Sequence, residues 1–294
     1  MHFGISYLYN LAMIGCVYGP VVRGPFNEPY VDLTIGESQE RMILTLSDLY
    51  TATAPTIHNI TIGDMIVEVP LRGDWESSRL ISIGPSSYLT GFFGSSAIVD
   101  EEIVLGIPRL EFQNFCADNS LIVLSMDEYA IWQYPAQIAL HGVSFPMHDQ
   151  VDLSSYTKYP LSIPFSIAED IWRTLASFGA YPDPSSTVNN ITRMMNCTQE
   201  MVDTLPDLVV TFTNFHALDN HLESPHGNGN LHLETSLFLS VENSTCTARF
   251  HVEPFTELED MIQESPWWSF APLAITDLNV LVTENEIHLC DRRQ

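Results

Sequence analysis

At 294 residues the chain exceeds the usual size of one hydrophobic core, so two lobes or one large β domain are expected, and 45% apolar residues suffice for a sizeable interior. A formal charge of −26, with Lys158 as the sole lysine, repels polyanions and excludes nucleic acid and anionic membrane surfaces as partners. The acidic residues are spread along the chain as on a solvated surface and form no acidic tail.

Residues 1–19 are apolar from Phe3 to Tyr18 and end in small residues, which reads as a secretory signal peptide. Before the apolar run stands only His2, with no Lys or Arg, and Pro20 follows Gly19, so a buried first strand is the competing reading. No later run reaches the ~18 apolar residues of a membrane span, so the expected product is secreted or lumenal, with no membrane partner. Apart from Cys16 there are four cysteines, Cys116, Cys197, Cys246 and Cys290, an even set that reads as two disulfides in a secreted chain. Acceptor patterns for N-glycosylation at Asn59, Asn190, Asn196 and Asn243 point to the same compartment.

Along the chain, Tyr30-Val31-Asp32-Leu33-Thr34-Ile35-Gly36 alternates and breaks at glycine, and Met42–Leu46 follows, so a β-hairpin is predicted. Ser47-Asp48-Leu49-Tyr50-Thr51 and Ala54-Pro55 come next, then the strand pair Ile60–Pro70 and the apolar-to-glycine run Leu80-Ile81-Ser82-Ile83-Gly84-Pro85. After Ile131–Gly142 the chain presents Val151-Asp152-Leu153-Ser154-Ser155, a tyrosine-rich link, and Pro160–Trp172, leading into a predicted helix over 167–178. Tyr181–Ser186 is a loop by composition. Cys197, Leu205-Pro206-Asp207-Leu208-Val209-Val210-Thr211-Phe212, Cys246 and a final β unit over 271–289 complete it.

In this order and at these spacings the segments resemble the pepsin-like aspartic peptidase family over about residues 28–292. The resemblance implies an all-β, bilobal acid-protease fold with short helices. Its first lobe, residues 20–125, is truncated and lacks the substrate-covering flap hairpin; its second lobe is residues 126–294. It also implies a Cys197–Cys246 disulfide, which leaves Cys116 and Cys290 for each other.

The family's chemistry needs two carboxylates facing each other, one per lobe, sharing a proton so that one acid polarises the scissile carbonyl while the other activates water. The candidates are Asp48 and Asp152. Counting forward from Gly36, however, puts Ser47 at the first catalytic place, and counting back from Pro164 puts Ser155 at the second. Leu49 and Leu153 stand where the resemblance expects the glycines that let the loop turn sharply toward the carboxylate.

The resemblance therefore implies an inactive pseudoprotease, a monomer that binds protein, peptide or glycan in the interlobe cleft or on its surface. The alternative is a working aspartic endopeptidase using Asp48 and Asp152. Neither reading needs a cofactor or a metal.

His216, His221, His226 and His232, with Asp219 and Glu223 between them, have residue types that ligate zinc, but Gly227–Asn230 marks a hairpin tip, and a solvated loop is the plainer reading. Trp267-Trp268 reads as a core lid or as an exposed anchor for a partner. No nucleophile elbow, phosphate loop or nucleotide fingerprint is present.

Overall fold

The computed structural model describes residues 17–24, 28–46, 56–62, 65–71, 79–85, 87–118, 120–125, 133–140, 143–144, 150–153, 161–183, 193–205, 207–212, 230–233, 239–248, 250–253, 256–258, 261–263, 268–275 and 277–293. These residues form an all-β structure, mostly antiparallel, with a few short helices. The chain divides into two compact units, Met1–Ala130 with Thr276–Gln294, and Ile131–Ile275.

The first unit begins with β1 (Val17–Arg23), β2 (Pro29–Ile35), β3 (Ser38–Thr45), β4 (Thr56–Ile62), β5 (Met65–Leu71) and β6 (Leu80–Ser82). Helix α1 (Tyr88–Phe93), strands β7 (Ser95–Val99) and β8 (Glu102–Leu105), helix α2 (Arg109–Phe112) and β9 (Ile122–Ser125) follow. In β2, Val31, Leu33 and Ile35 point inward while Asp32 faces solvent and pairs with Arg41 at 2.7 Å, the alternation of a strand covered on one face. The β2–β3 hairpin turns at Gly36, whose φ of +62° is open to glycine without a side-chain clash. Asp100 and Glu101, both at positive φ, make the two-residue turn between β7 and β8.

β1 takes in Val17, Tyr18 and Gly19, which the sequence assigned to the signal segment; they pair with Leu105, Val104 and Ile103 of β8.

The second unit runs through β10 (Gln133–Leu140), β11 (Val143–Ser144), β12 (Gln150–Asp152), β13 (Leu161–Pro164), α3 (Phe165–Ser177), β14 (Tyr181–Pro182) and β15 (Arg193–Met195). It continues with α4 (Gln199–Thr204), β16 (Leu208–Phe212), β17 (Asn230–Leu233), β18 (Leu239–Glu242) and β19 (Thr245–Ala248). It closes with β20 (Phe250–Glu253), β21 (Thr256–Leu258), β22 (Met261–Gln263) and β23 (Trp268–Phe270). Its main sheet has the order β17-β16-β10-β12-β23-β13-β20, with β11 on β10, beside a four-stranded sheet β14-β15-β19-β18. Helix α3 buries Ala168, Ile171 and Leu175 at helical spacing. It ends in a Schellman turn: Ala180 N donates to Leu175 O, Gly179 N donates to Ala176 O, and Gly179 sits at φ +97°.

The last hairpin, β24 (Leu278–Thr283) and β25 (Glu286–Asp291), was grouped by sequence with the second lobe, yet β24 hydrogen-bonds to β7 and β25 to β9. Leu278–Val282 is buried on both faces, so this strand needs neighbours on both edges and finds them inside the first unit's sheet, β5-β4-β2-β1-β8-β7-β24-β25-β9. The disulfides join Cys116 to Cys290 and Cys197 to Cys246, each with Cα atoms 5.4 Å apart. The first lies in a core of Val99, Val104, Ile107, Phe112 and Leu281; the second ties α4's approach to β19. Among the described residues no helix is long and apolar enough to cross a membrane.

Candidate functional site

In the first unit β3 leaves the sheet beside β6, and the two run parallel with Ile43 opposite Leu80, Leu44 opposite Ile81 and Thr45 opposite Ser82. The ladder continues one step, with Ile83 N donating to Thr45 O at 2.9 Å. Gly84 N then donates to Ser82 Oγ at 3.1 Å, and the glycine lies so close to the Leu46 carbonyl that a Cβ would overlap its oxygen. Buried hydroxyls fasten this elbow: Thr90 Oγ1 donates to Ile83 O at 2.9 Å and lies 3.0 Å from Ser96 Oγ, and Ser87 Oγ caps α1 by accepting from Thr90 N at 3.1 Å.

The second unit repeats the arrangement. β12 runs parallel to β23, with Val151 opposite Trp268 and Asp152 opposite Ser269, and β13 returns antiparallel on the other side of β23, with Ser162 opposite Ser269. Two residues past Ser82 stands Gly84-Pro85, and two past Ser269 stands Ala271-Pro272; each leads into a helical turn. The ladders therefore place Asp152 in the position of Thr45 and Leu153 in that of Leu46. Both leucines are interior, at 4% exposure for Leu46 and 1% for Leu153. Counted forward from these paired positions, the counterpart of Asp48 is Ser155 and that of Ser47 is Ser154. Asp152 thus ends its ladder at the place of Thr45, and Leu153, which follows it, is buried.

Asp48, with Ser47 and Leu49, lies outside the described residues, as do Ser154, Ser155, His216, Asp219, His221, Glu223, His226, Asn190 and Trp267. His232 sits in β17 opposite Val209, with Nδ1 3.7 Å from Asp207 Oδ2. Among the described residues no three His, Cys, Asp or Glu side chains gather as a metal site. Trp268 opens β23 between β12 and β13. Asn59, Asn196 and Asn243 are all exposed; Asn59 lies within β4, Asn196 directly follows β15, and Asn243 is in the β18–β19 turn.

Two polar clusters had no sequence signal. Glu101, at the β7–β8 turn, receives Arg23 through Nε at 2.7 Å and Nη2 at 3.2 Å, and Arg292 Nη2 at 2.9 Å. Burial pushes its carboxyl up, but hydrogen bonds and charge from Arg23 and then Arg292 outweigh that and hold it below the usual range. In β25, fully buried His288 donates from Nε2 to Glu286 Oε2 at 2.8 Å, and Glu286 in turn receives Arg109 Nη1 at 3.3 Å. Phe112 meets the imidazole edge-on at 6.4 Å, and His288 Nδ1 has no partner among the described residues. Burial lowers the imidazole pKa; Glu286 opposes this and Arg109 adds to it. The neutral form of the buried His288 ring is thus the one that this part of the core favours.

No protein-family model matches the chain, and a search among curated proteins finds no match.

Proposed function

We propose that the chain is a divergent pepsin-like protein of the secretory pathway that has lost peptide-bond hydrolysis and works as a monomer by binding a protein, peptide or glycan. The observation that carries this reading is the register of the two parallel ladders. Asp152 occupies the strand place held in the first unit by Thr45, and the counterpart of Asp48 is Ser155, so the candidate acids are not a matched pair. A shared-proton mechanism depends on carboxylates at matched places, since its acid and base are equivalent groups pushed apart in pKa only by each other.

Support for the family comes from the repetition itself: an outgoing strand, a parallel three-residue strand, a small residue followed by proline, and a helical turn, once in each unit. Support for the secretory pathway comes from the two disulfides, which persist in oxidising compartments. The charge of −26 favours a soluble monomer.

The test is cleavage of a denatured general protein substrate at acidic pH, with and without a statine-type inhibitor, on wild type and Asp152→Asn. No cleavage and no thermal shift with the inhibitor is the expected result. Cleavage that the inhibitor blocks and Asp152→Asn abolishes would overturn the reading and restore the endopeptidase.

A further inference from the structure

We infer that Asn59 carries an N-linked glycan whose innermost sugars cover the exposed apolar face of the β4–β5 hairpin. The inference rests on the secretory reading above. β5 ends the first unit's sheet order, paired to β4 with Asn59 opposite Glu68, Thr61 opposite Ile66 and Ile57 opposite Pro70. Residues two apart share a strand face. Ile60, Ile62, Val67, Val69 and Leu71 therefore fill the core, while Ile57, Asn59 and Thr61 stand on the outer face with Ile66 and Glu68. On that face Ile57 is 68% and Ile66 71% exposed, an unusual state for isoleucine.

Asn59 stands midway between them: Ile57 is its neighbour along β4 and Ile66 its diagonal neighbour across the ladder, roughly 7–8 Å away by strand geometry. The middle residue of the acceptor pattern, Ile60, is 0% exposed, so the fold presents the two residues that matter, Asn59 and Thr61, on one outer surface.

An edge strand with apolar side chains invites pairing with a second copy unless something blocks it. Pro70 and Glu68 protect one end of β5, whereas Ile66 at the other end is exposed.

Attachment transfers an oligosaccharide from a polyprenyl diphosphate donor, the co-reactant. The Asn59 carboxamide nitrogen forms the bond to the anomeric carbon, the bond from that carbon to the diphosphate oxygen breaks, the diphosphate leaves with the electron pair, and one amide proton passes to a base. No oxidant or reductant is needed.

The full chain is to be expressed behind a cleavable secretion signal in a eukaryotic host, then treated in heavy-oxygen water with the amidase that hydrolyses the glycan–asparagine bond, so that each occupied Asn is read as a labelled Asp. Asn243, on an exposed turn, reports passage through the pathway. Asn59 is expected to be labelled. Enzymatic removal of the glycan from the folded protein is expected to raise bis-ANS fluorescence several-fold and to produce dimers or larger species in light scattering. Ile57→Thr with Ile66→Thr should suppress both changes. An unmodified Asn59 beside a labelled Asn243 would overturn the inference and leave the proposed function standing. So would an occupied Asn59 whose removal changes neither dye binding nor oligomeric state. With no acceptor occupied and the cysteines free, the secretory reading fails as well.

Discussion

His288 shows how one side chain can set the direction of a stability profile. Its pKa is lowered in the folded state, so the folded chain binds fewer protons there than the unfolded chain does. The contribution of the neutral ring is complete above the ordinary imidazole range and is lost progressively as pH falls through it, because the unfolded chain gains a proton that the core resists. Among the described residues Glu286 from β25 and Arg109 from α2 are the charges that act on the ring, and of the two Glu286 favours its protonation. His288→Gln keeps a donor for Glu286 and removes the titration. Urea unfolding at a series of pH values should therefore show a shallower acid-side decline for His288→Gln than for wild type; parallel curves would mean that folding does not shift the titration of the ring. Glu101 works in the same direction for a different reason: its lowered carboxyl pKa contributes stability above the carboxylate range that disappears on acidification.

At the scale of elements, the decisive contact is the crossing of Gly84 over the end of β3. The Leu46 carbonyl oxygen occupies the space of a Cβ, and because the obstruction is backbone it cannot rotate away. Gly84→Ala should cost about 3 kcal/mol in chemical denaturation, while the same change at Gly91, which meets nothing nearby, should cost little or improve the helix. Equal effects would mean that the Leu46 carbonyl does not obstruct a side chain at position 84.

The same elements mark what could be read in advance. The alternation of Tyr30–Ile35 with Gly36 announces the β2–β3 hairpin, and the apolar spacing in Ile167–Leu175 announces α3, because each signal lies within one element. β6 and β23 are three residues long, too short to show a period, and their partners are distant in sequence. Local counting therefore left the second candidate position divided between Asp152 and Ser155, and only the hydrogen-bonded register aligns Asp152 with Thr45. β24 was equally opaque: Leu278–Val282 is apolar on both faces, which marks it as buried and is silent about its partners.

At the scale of the molecule, the two disulfides serve different units. Cys116–Cys290 spans 174 residues and fixes the C-terminal strand into the first unit's core, whereas Cys197–Cys246 spans 49 residues and closes a loop inside the second. In the chain-entropy model the longer closure removes roughly 5 kcal/mol of unfolded-state freedom and the shorter roughly 4. The difference is small; the location is what separates them. Replacing Cys116 and Cys290 together by Ser should reduce amide-exchange protection in β7, β9, β24 and β25 and leave β15, β18 and β19 as they were, with the reverse pattern for Cys197 and Cys246. Sheet continuity makes the first pattern specific. β24 sits between β7 and β25, so loosening β25 exposes the ladder bonds of β24 before any strand of residues 131–275 is affected. Loss of protection spread evenly over both sets by either substitution would mean that the chain unfolds as one cooperative body, and that the C-terminal hairpin is held by more than the first unit.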